Sequence, residues 1–226
     1  PVALMIVIQP DNSTTMILLA IVYAMLFIGG ASFIQLLTIG TISVGAFTIA
    51  ILNKGNYALA RILSFINPAS SENVSYQSSQ ALIGLKQGGI SGMGIGESIQ
   101  KYSYLPETHT DFIFAIIGEE MGFITGIILM IAYYIIFYRS IQISKKSNDT
   151  FGILLSIGFG LSISIYALIN IGVVIGIVPV TGVPLPFISY GGSSLITNLM
   201  MIAILLNISK AQRKINVRKW RLRVDA

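Results

Sequence analysis

The chain has no cysteine, a single histidine, His109, and few charges, at 10% Asp, Glu, Lys and Arg over 226 residues. Without cysteine there are no disulfides and no thiol chemistry. A Ser-His-Asp triad would have to recruit His109, and no Gly-x-Ser-x-Gly elbow is present. No Gly-Lys-Ser phosphate loop and no His-Glu-x-x-His metal pair occurs. A soluble domain carries about 25% charge. Here 54% of residues are hydrophobic and mean hydropathy is +0.81. The chain therefore reads as an all-α polytopic membrane protein.

Apolar runs predict about five spanning helices, at 16–33, 34–52, 112–138, 151–178 and 188–208. A hydrocarbon core of ~30 Å needs ~20 residues. Val2 to Ile8 reads as the end of a helix begun upstream, so the chain is expected to be the C-terminal part of something longer. Gln9-Pro10-Asp11-Asn12-Ser13 is a turn by composition. Gly29-Gly30 divides the first two spans into a tight hairpin. Residues 53–110 form the one long hydrophilic segment. Within it, Arg61 to Pro68 suits a helix at the interface, and Ser70 to Gln80 is rich in Ser, Asn and Gln. Residues 1–209 thus make a membrane domain, and 210–226 a basic tail.

Four polar features stand out. Tyr104-Leu105-Pro106-Glu107-Thr108-His109-Thr110-Asp111 leads into the third span. Pro106 suits a helix start, and Thr108 with Asp111 reads as a capping box. Asp111 either only caps the helix or stands fixed at the bilayer boundary for chemistry. Glu119-Glu120 lies ~12 Å further along at 1.5 Å per residue. Acids at that depth normally face a partner inside the bundle, expected here from outside this chain, and a packing role is an equal alternative. Gly88-Gly89-Ile90-Ser91-Gly92-Met93-Gly94-Ile95-Gly96 is either a phosphate-approaching nest or an ordinary loop; with no βαβ unit possible, a dinucleotide fingerprint is rejected. Pro184-Leu185-Pro186-Phe187-Ile188-Ser189-Tyr190-Gly191-Gly192-Ser193-Ser194 enters the last span, where a helix start of small residues is either an anion site or close packing.

The net charge of +5 is not a nucleic-acid signature, because half of the basic residues sit in the tail: Lys210, Arg213, Lys214, Arg218, Lys219, Arg221 and Arg223. The positive-inside rule places this tail and the 139–150 loop in the cytoplasm. Every other polar feature then gathers on the external face. An external carboxylate can take a proton from an attacking hydroxyl, and backbone amides can stabilise a departing diphosphate. This suits a lipid-linked substrate and needs no nucleotide.

Leu105-Pro106-Glu107-Thr108-His109-Thr110-Asp111-Phe112-Ile113-Phe114-Ala115, continuing through Glu119-Glu120-Met121-Gly122, resembles a signature of the SEDS family (shape, elongation, division and sporulation), which includes FtsW, RodA and SpoVE. Pro184 to Ser194 resembles its second signature. Gln9-Pro10-Asp11, Arg61 to Pro68 and Tyr76-Gln77 match weaker features in order. Ser98-Ile99-Gln100-Lys101 with Tyr104 to Glu107 leans toward FtsW and SpoVE, whereas Val183 to Pro186 leans toward RodA. Pro10-Asp11-Asn12-Ser13-Thr14 and Lys86-Gln87 depart from the family pattern.

The resemblance implies the second half of a ten-helix fold in the bacterial cytoplasmic membrane, multi-pass, with a cytoplasmic C-terminus. It implies a peptidoglycan glycosyltransferase that polymerises lipid II into lipid-linked glycan and releases undecaprenyl diphosphate, in division or septal wall synthesis. A class B penicillin-binding protein (a transpeptidase) and other divisome or elongasome membrane proteins are the implied partners. Asp111 becomes the catalytic residue. Glu107, His109, Lys86, Gly88, Gly89, Lys101, Ser189, Gly191, Gly192 and Ser193 become substrate-binding candidates, with Glu119, Glu120, Arg61 and Asp11 structural or unassigned. No cofactor and no metal ligand set is implied, although a divalent cation is compatible with diphosphate chemistry. A lipid II flippase, an elongation polymerase of the RodA type and a non-catalytic scaffold are the competing readings.

Overall fold

A computed structural model describes residues 12–53, 72–103, 110–147 and 149–224, all helix and connection with no strand among them. The helices are α1 (Asn12–Ile28), α2 (Phe33–Asn53), α3 (Glu72–Gly88), α4 (Ile99–Ser103), α5 (Ile113–Lys146), α6 (Thr150–Val174) and α7 (Gly192–Val224). Three are long and apolar enough to cross a membrane, in Ile113–Lys146, Thr150–Val174 and Gly192–Ala211, and two shorter apolar helices, Ser13–Ile28 and Phe33–Gly45, accompany them. Asp11, Arg61, Glu107, Thr108, His109 and the expected interfacial helix at 61–68 lie outside the described residues.

The hairpin of α1 and α2 forms as expected, for local reasons. Gly30 adopts φ +84°, and the amides of Gly30 and Ala31 bond back to Phe27 and Leu26 at 3.2 and 3.0 Å. That pair of bonds is the Schellman ending, which favours glycine because a Cβ is strained at such φ. Ser32 then opens α2 with a reciprocal cap: its amide donates to Gln35 Oε1 at 2.9 Å and its Oγ accepts from the Gln35 amide at 3.4 Å. The helix expected at 16–33 therefore runs 12–28, Asn12 and Ser13 being helical rather than part of the turn.

The other boundaries also move. Residues 139–146 continue α5 instead of forming a loop, because Arg139 to Lys146 contains neither Gly nor Pro and ends in two lysines that suit a helix C-terminus. Only 147–149 connect to α6, where Asp149 Oδ2 caps the Gly152 amide at 3.3 Å. α6 ends at Val174, short of 178, with the amides of Gly176 and Ile177 closing on Val173 and Gly172. α7 starts at Gly192 and continues to Val224, so the basic tail extends a helix.

Inside the segment expected to be a loop, α3 packs along α5. Its contact face is Ala81, Gly84, Leu85 and Gly88, spaced i, i+3, i+4, i+7; Ala81 is fully buried. α5 and α6 form the centre, around Phe112, Ala115, Ile116, Tyr133, Ile163, Ala167 and Ile171. Small residues bring these helices together, as a Cβ on Gly160 would collide with the Ser140 side chain. Such contacts replace the hydrophobic drive that lipid does not supply.

α5 is not continuous. Gly122 takes φ 79°, ψ 177°, which breaks its hydrogen-bond ladder. The glycine-rich strap 88–94 repairs the gap. The amides of Met93 and Gly94 donate to the carbonyls of Glu119 and Glu120, both at 3.0 Å, and the amides of Phe123 and Ile124 donate to Gly89 and Ile90 at 2.9 and 3.4 Å. Non-helical backbone survives at such depth only where protein re-satisfies it.

Candidate functional site

Asp111 sits in the turn 110–112, just before α5. Phe112 is the N-cap and makes no side-chain capping bond, and the first turn holds no acid. Asp111 thus lies one residue before the N-cap, and Thr108, the other half of the expected capping box, lies outside the described residues.

The turn is held by its backbone. Asn170, buried near the end of α6, donates from Nδ2 to the carbonyl of Asp111 at 2.8 Å and to that of Val183 at 2.7 Å. Ser189 donates from Oγ to the Thr110 carbonyl at 2.5 Å and accepts from the Leu185 amide at 2.7 Å. Tyr133, in α5, donates its hydroxyl to the Pro186 carbonyl at 2.7 Å. The loop 180–189, poor in regular structure because of Pro184 and Pro186, is thus tied to both α5 and α6. Phe187 within it stands at φ 66°, the one non-glycine with positive φ among the described residues. Such a conformation persists only where surroundings over-determine it.

The same loop faces the Asp111 carboxylate. A Cβ placed on Gly182 would lie 3.4 Å from Asp111 Oδ2. Beyond the loop, Gly192 and Ser193 are exposed in the first turn of α7. The first amides of any helix lack intrahelical partners. A Cβ on Gly192 meets nothing within 4 Å, and one on Gly191 meets only Ser194 Cβ, at 3.5 Å. Close packing therefore does not explain these small residues.

The other sequence candidates fall into two groups. Gly88 is structural in its contacts, since a Cβ there would strike the carbonyl of Gly118; the Gly89 carbonyl belongs to the repaired ladder of α5. Lys86 is exposed in the last turn of α3, and Lys101 stands in α4, its amide bonded to Ser98 Oγ at 3.1 Å. Glu119 is fully buried and, although its partner was expected from outside this chain, it accepts from three donors within it: Ser98 Oγ at 2.5 Å and the amides of Ile99 and Gln100 at 3.0 and 3.4 Å. It closes the N-terminus of α4 from across the fold. Glu120 is half-buried, and its Oε1 meets no donor among the described residues. Asn170, Gly182 and Ser98 were not singled out as site residues by sequence reasoning. Only the polar Asn170 inside an apolar span carried a signal.

Comparison with known proteins agrees with these features. A family model described as "Cell cycle protein", of the FtsW, RodA and SpoVE group, matches residues 2–214. Stage V sporulation protein E of Bacillus subtilis is 41% identical over 211 residues, 93% of this chain and 57% of that protein. A "Probable peptidoglycan glycosyltransferase FtsW" of Dichelobacter nodosus is 41% identical over 215 residues, 93% of this chain and 54% of that protein. The chain thus spans little more than half the length of these relatives. A solved structure described as "Structural coordination of polymerization and crosslinking by a peptidoglycan synthase complex" superposes with a TM-score of 0.70 at 27% identity, over 94% of this chain and 59% of that one. The chain belongs to the FtsW/RodA/SpoVE family.

Proposed function

We propose that this chain is the catalytic part of a peptidoglycan glycosyltransferase that polymerises lipid II at the outer face of the bacterial cytoplasmic membrane. The observation that carries this reading is the placement of Asp111, in the turn before α5 and against the loop that leads to the open first turn of α7. Asp111 takes the proton from the acceptor sugar hydroxyl, whose oxygen attacks the anomeric carbon of the donor. The bond from that carbon to the diphosphate oxygen breaks, and the electron pair leaves with undecaprenyl diphosphate. The first-turn amides of α7 are the candidates to receive that negative charge, with Lys86 and Lys101 as candidate cations. Glu107 and His109, next to Asp111 in the sequence, are the candidates for binding the acceptor sugar.

The names of the relatives support the polymerase assignment, and the described complex supports a transpeptidase partner of the class B penicillin-binding type. The basic α7 end supports a cytoplasmic C-terminus. The test is reconstitution of the full-length protein with its partner on labelled lipid II. Glycan chains are expected; transport of lipid II without chain formation overturns the reading in favour of a flippase.

A further inference from the structure

Asn170 is the most informative polar group outside the proposed chemistry. It is 1% exposed and sits in the last two turns of an apolar helix. Both of its partners, the carbonyls of Asp111 and Val183, can only accept hydrogen bonds. The amide nitrogen must therefore face them, and no flipped assignment of the side chain satisfies the site. Its Oδ1 is left buried and accepts no hydrogen bond among the described residues. A leucine of similar size would fill the space but would leave the Asp111 and Val183 carbonyls without this donor, which is costly. Packing alone thus does not explain an asparagine here. Its two donated bonds do one specific thing, which is to fix the Asp111 backbone against the 180–189 loop. Ser189 makes a parallel tie one residue earlier, from Thr110 to Leu185.

We propose that Asn170, with Ser189 beside it, is a positioning residue that holds the Asp111 turn at a fixed separation from the loop feeding the start of α7, without touching substrate. The two reacting partners, a base and an anion-receiving helix start, come from segments some eighty residues apart in sequence. No covalent or local constraint keeps them in register. A misplacement of ~1 Å between such groups costs roughly 10²-fold in rate, so a buried clamp of this kind acts on kcat and leaves substrate affinity alone. The same geometry reassigns the Ser189 hydroxyl, which is already engaged on both sides, from substrate binding to the clamp.

This inference rests on Asp111 being the base, and the experiment separates the two. In the full-length protein with its partner, glycan formation from lipid II is measured for Asn170→Leu, Asn170→Asp and Asp111→Asn, and for each of the first two combined with Asp111→Asn. Thermal unfolding in detergent is recorded in parallel. Asn170→Leu, which takes the donor from two carbonyls, is expected to unfold at a lower temperature and, while folded, to lose roughly 10²-fold in kcat, with KM for lipid II within about twofold. Asn170→Asp, which turns a donor toward two carbonyls into an acceptor, loses at least as much. Combined with Asp111→Asn, neither lowers the residual rate further, since a residue acting only through the base has nothing left to position. A folded Asn170→Leu protein with normal kcat, or with raised KM and unchanged kcat, overturns the clamp while an inactive Asp111→Asn keeps the base. An active Asp111→Asn protein overturns both. If Asn170→Leu does not fold, Ser189→Ala and Ser189→Thr give the same reading: loss of kcat in the first and recovery in the second, which keeps the hydroxyl. Equal activity in that pair overturns the proposal.

Discussion

Glu119 and Ser98, twenty-one residues apart, share a 2.5 Å hydrogen bond in a fully buried site where Ser98 donates and the carboxylate accepts. Two further donors, the amides of Ile99 and Gln100, complete the carboxylate's shell. An anion at the N-terminus of α4 is favoured by the unpaired amides there. The acid thereby finds three hydrogen-bond donors and pins the segment carrying Lys101 to α5.

Glu119→Gln should therefore loosen that segment. An amide presents only one acceptor, and its NH2 turns a donor toward groups that already donate. Loss of one charge-assisted hydrogen bond costs about 1.5–3 kcal/mol. The expected outcome is a lower unfolding midpoint and faster protease cleavage between residues 89 and 103, with Ser98→Ala intermediate. Unchanged cleavage of the Glu119→Gln protein removes the cap from the account.

Glycines that look alike in the sequence should behave oppositely when enlarged. Gly88→Ala forces a methyl into the backbone of α5 at Gly118, an overpacking expected to cost at least ~1–3 kcal/mol. Gly192→Leu meets open space and should fold normally while weakening lipid II binding, if amides there receive the diphosphate. Normal binding by a folded Gly192→Leu protein rejects that role for the first turn of α7.

Orientation is checked on a chain that has no natural cysteine to interfere. Cysteine in place of Ser79, exposed on α3, is expected to react from outside with an impermeant thiol reagent. Cysteine at Ser147, between α5 and α6, is expected to stay protected until the membrane is opened. The reverse pattern would put the Asp111 turn in the cytoplasm and end the lipid II proposal.

What could be read in advance divides by range of interaction. The spans, the Gly29-Gly30 break and the small-residue packing of α6 follow from composition and nearest neighbours. The Ser32 to Gln35 cap was equally legible, being written in four adjacent residues. α3 was hidden because its buried stripe is Ala81, Gly84 and Gly88, whose small side chains give little apolar signal. The break at Gly122 was hidden for another reason: its cost is met by the strap 88–94, thirty residues away, and no local pattern announces that repair. At the site, the motif marked Asp111, but the ties from Asn170 and Ser189 span 59 and 79 residues. A hydrogen bond to a backbone carbonyl leaves no trace in the identity of the residue that accepts it.

That last point makes Asp111→Asn the decisive variant. The clamp grips the Asp111 carbonyl, not its carboxylate, so an isosteric amide leaves those backbone ties in place. The side chain of Asn cannot accept the proton of the attacking hydroxyl, and loss of a general base typically costs 10²–10⁴-fold. Polymerisation is expected to fall by about that factor, with the unfolding temperature and partner binding retained. Asp111→Glu keeps a base but pushes it one methylene further, toward a loop where a Cβ on Gly182 would already lie 3.4 Å from the carboxylate. It should recover part of the rate, since chemistry is present but misplaced. The assay must count glycan length directly, because a lipid transporter could also need an acid at this position. Near-normal chains from a stable Asp111→Asn protein would leave the carboxylate with no catalytic part. An inactive Asn variant and a partly active Glu variant together are what a positioned base requires.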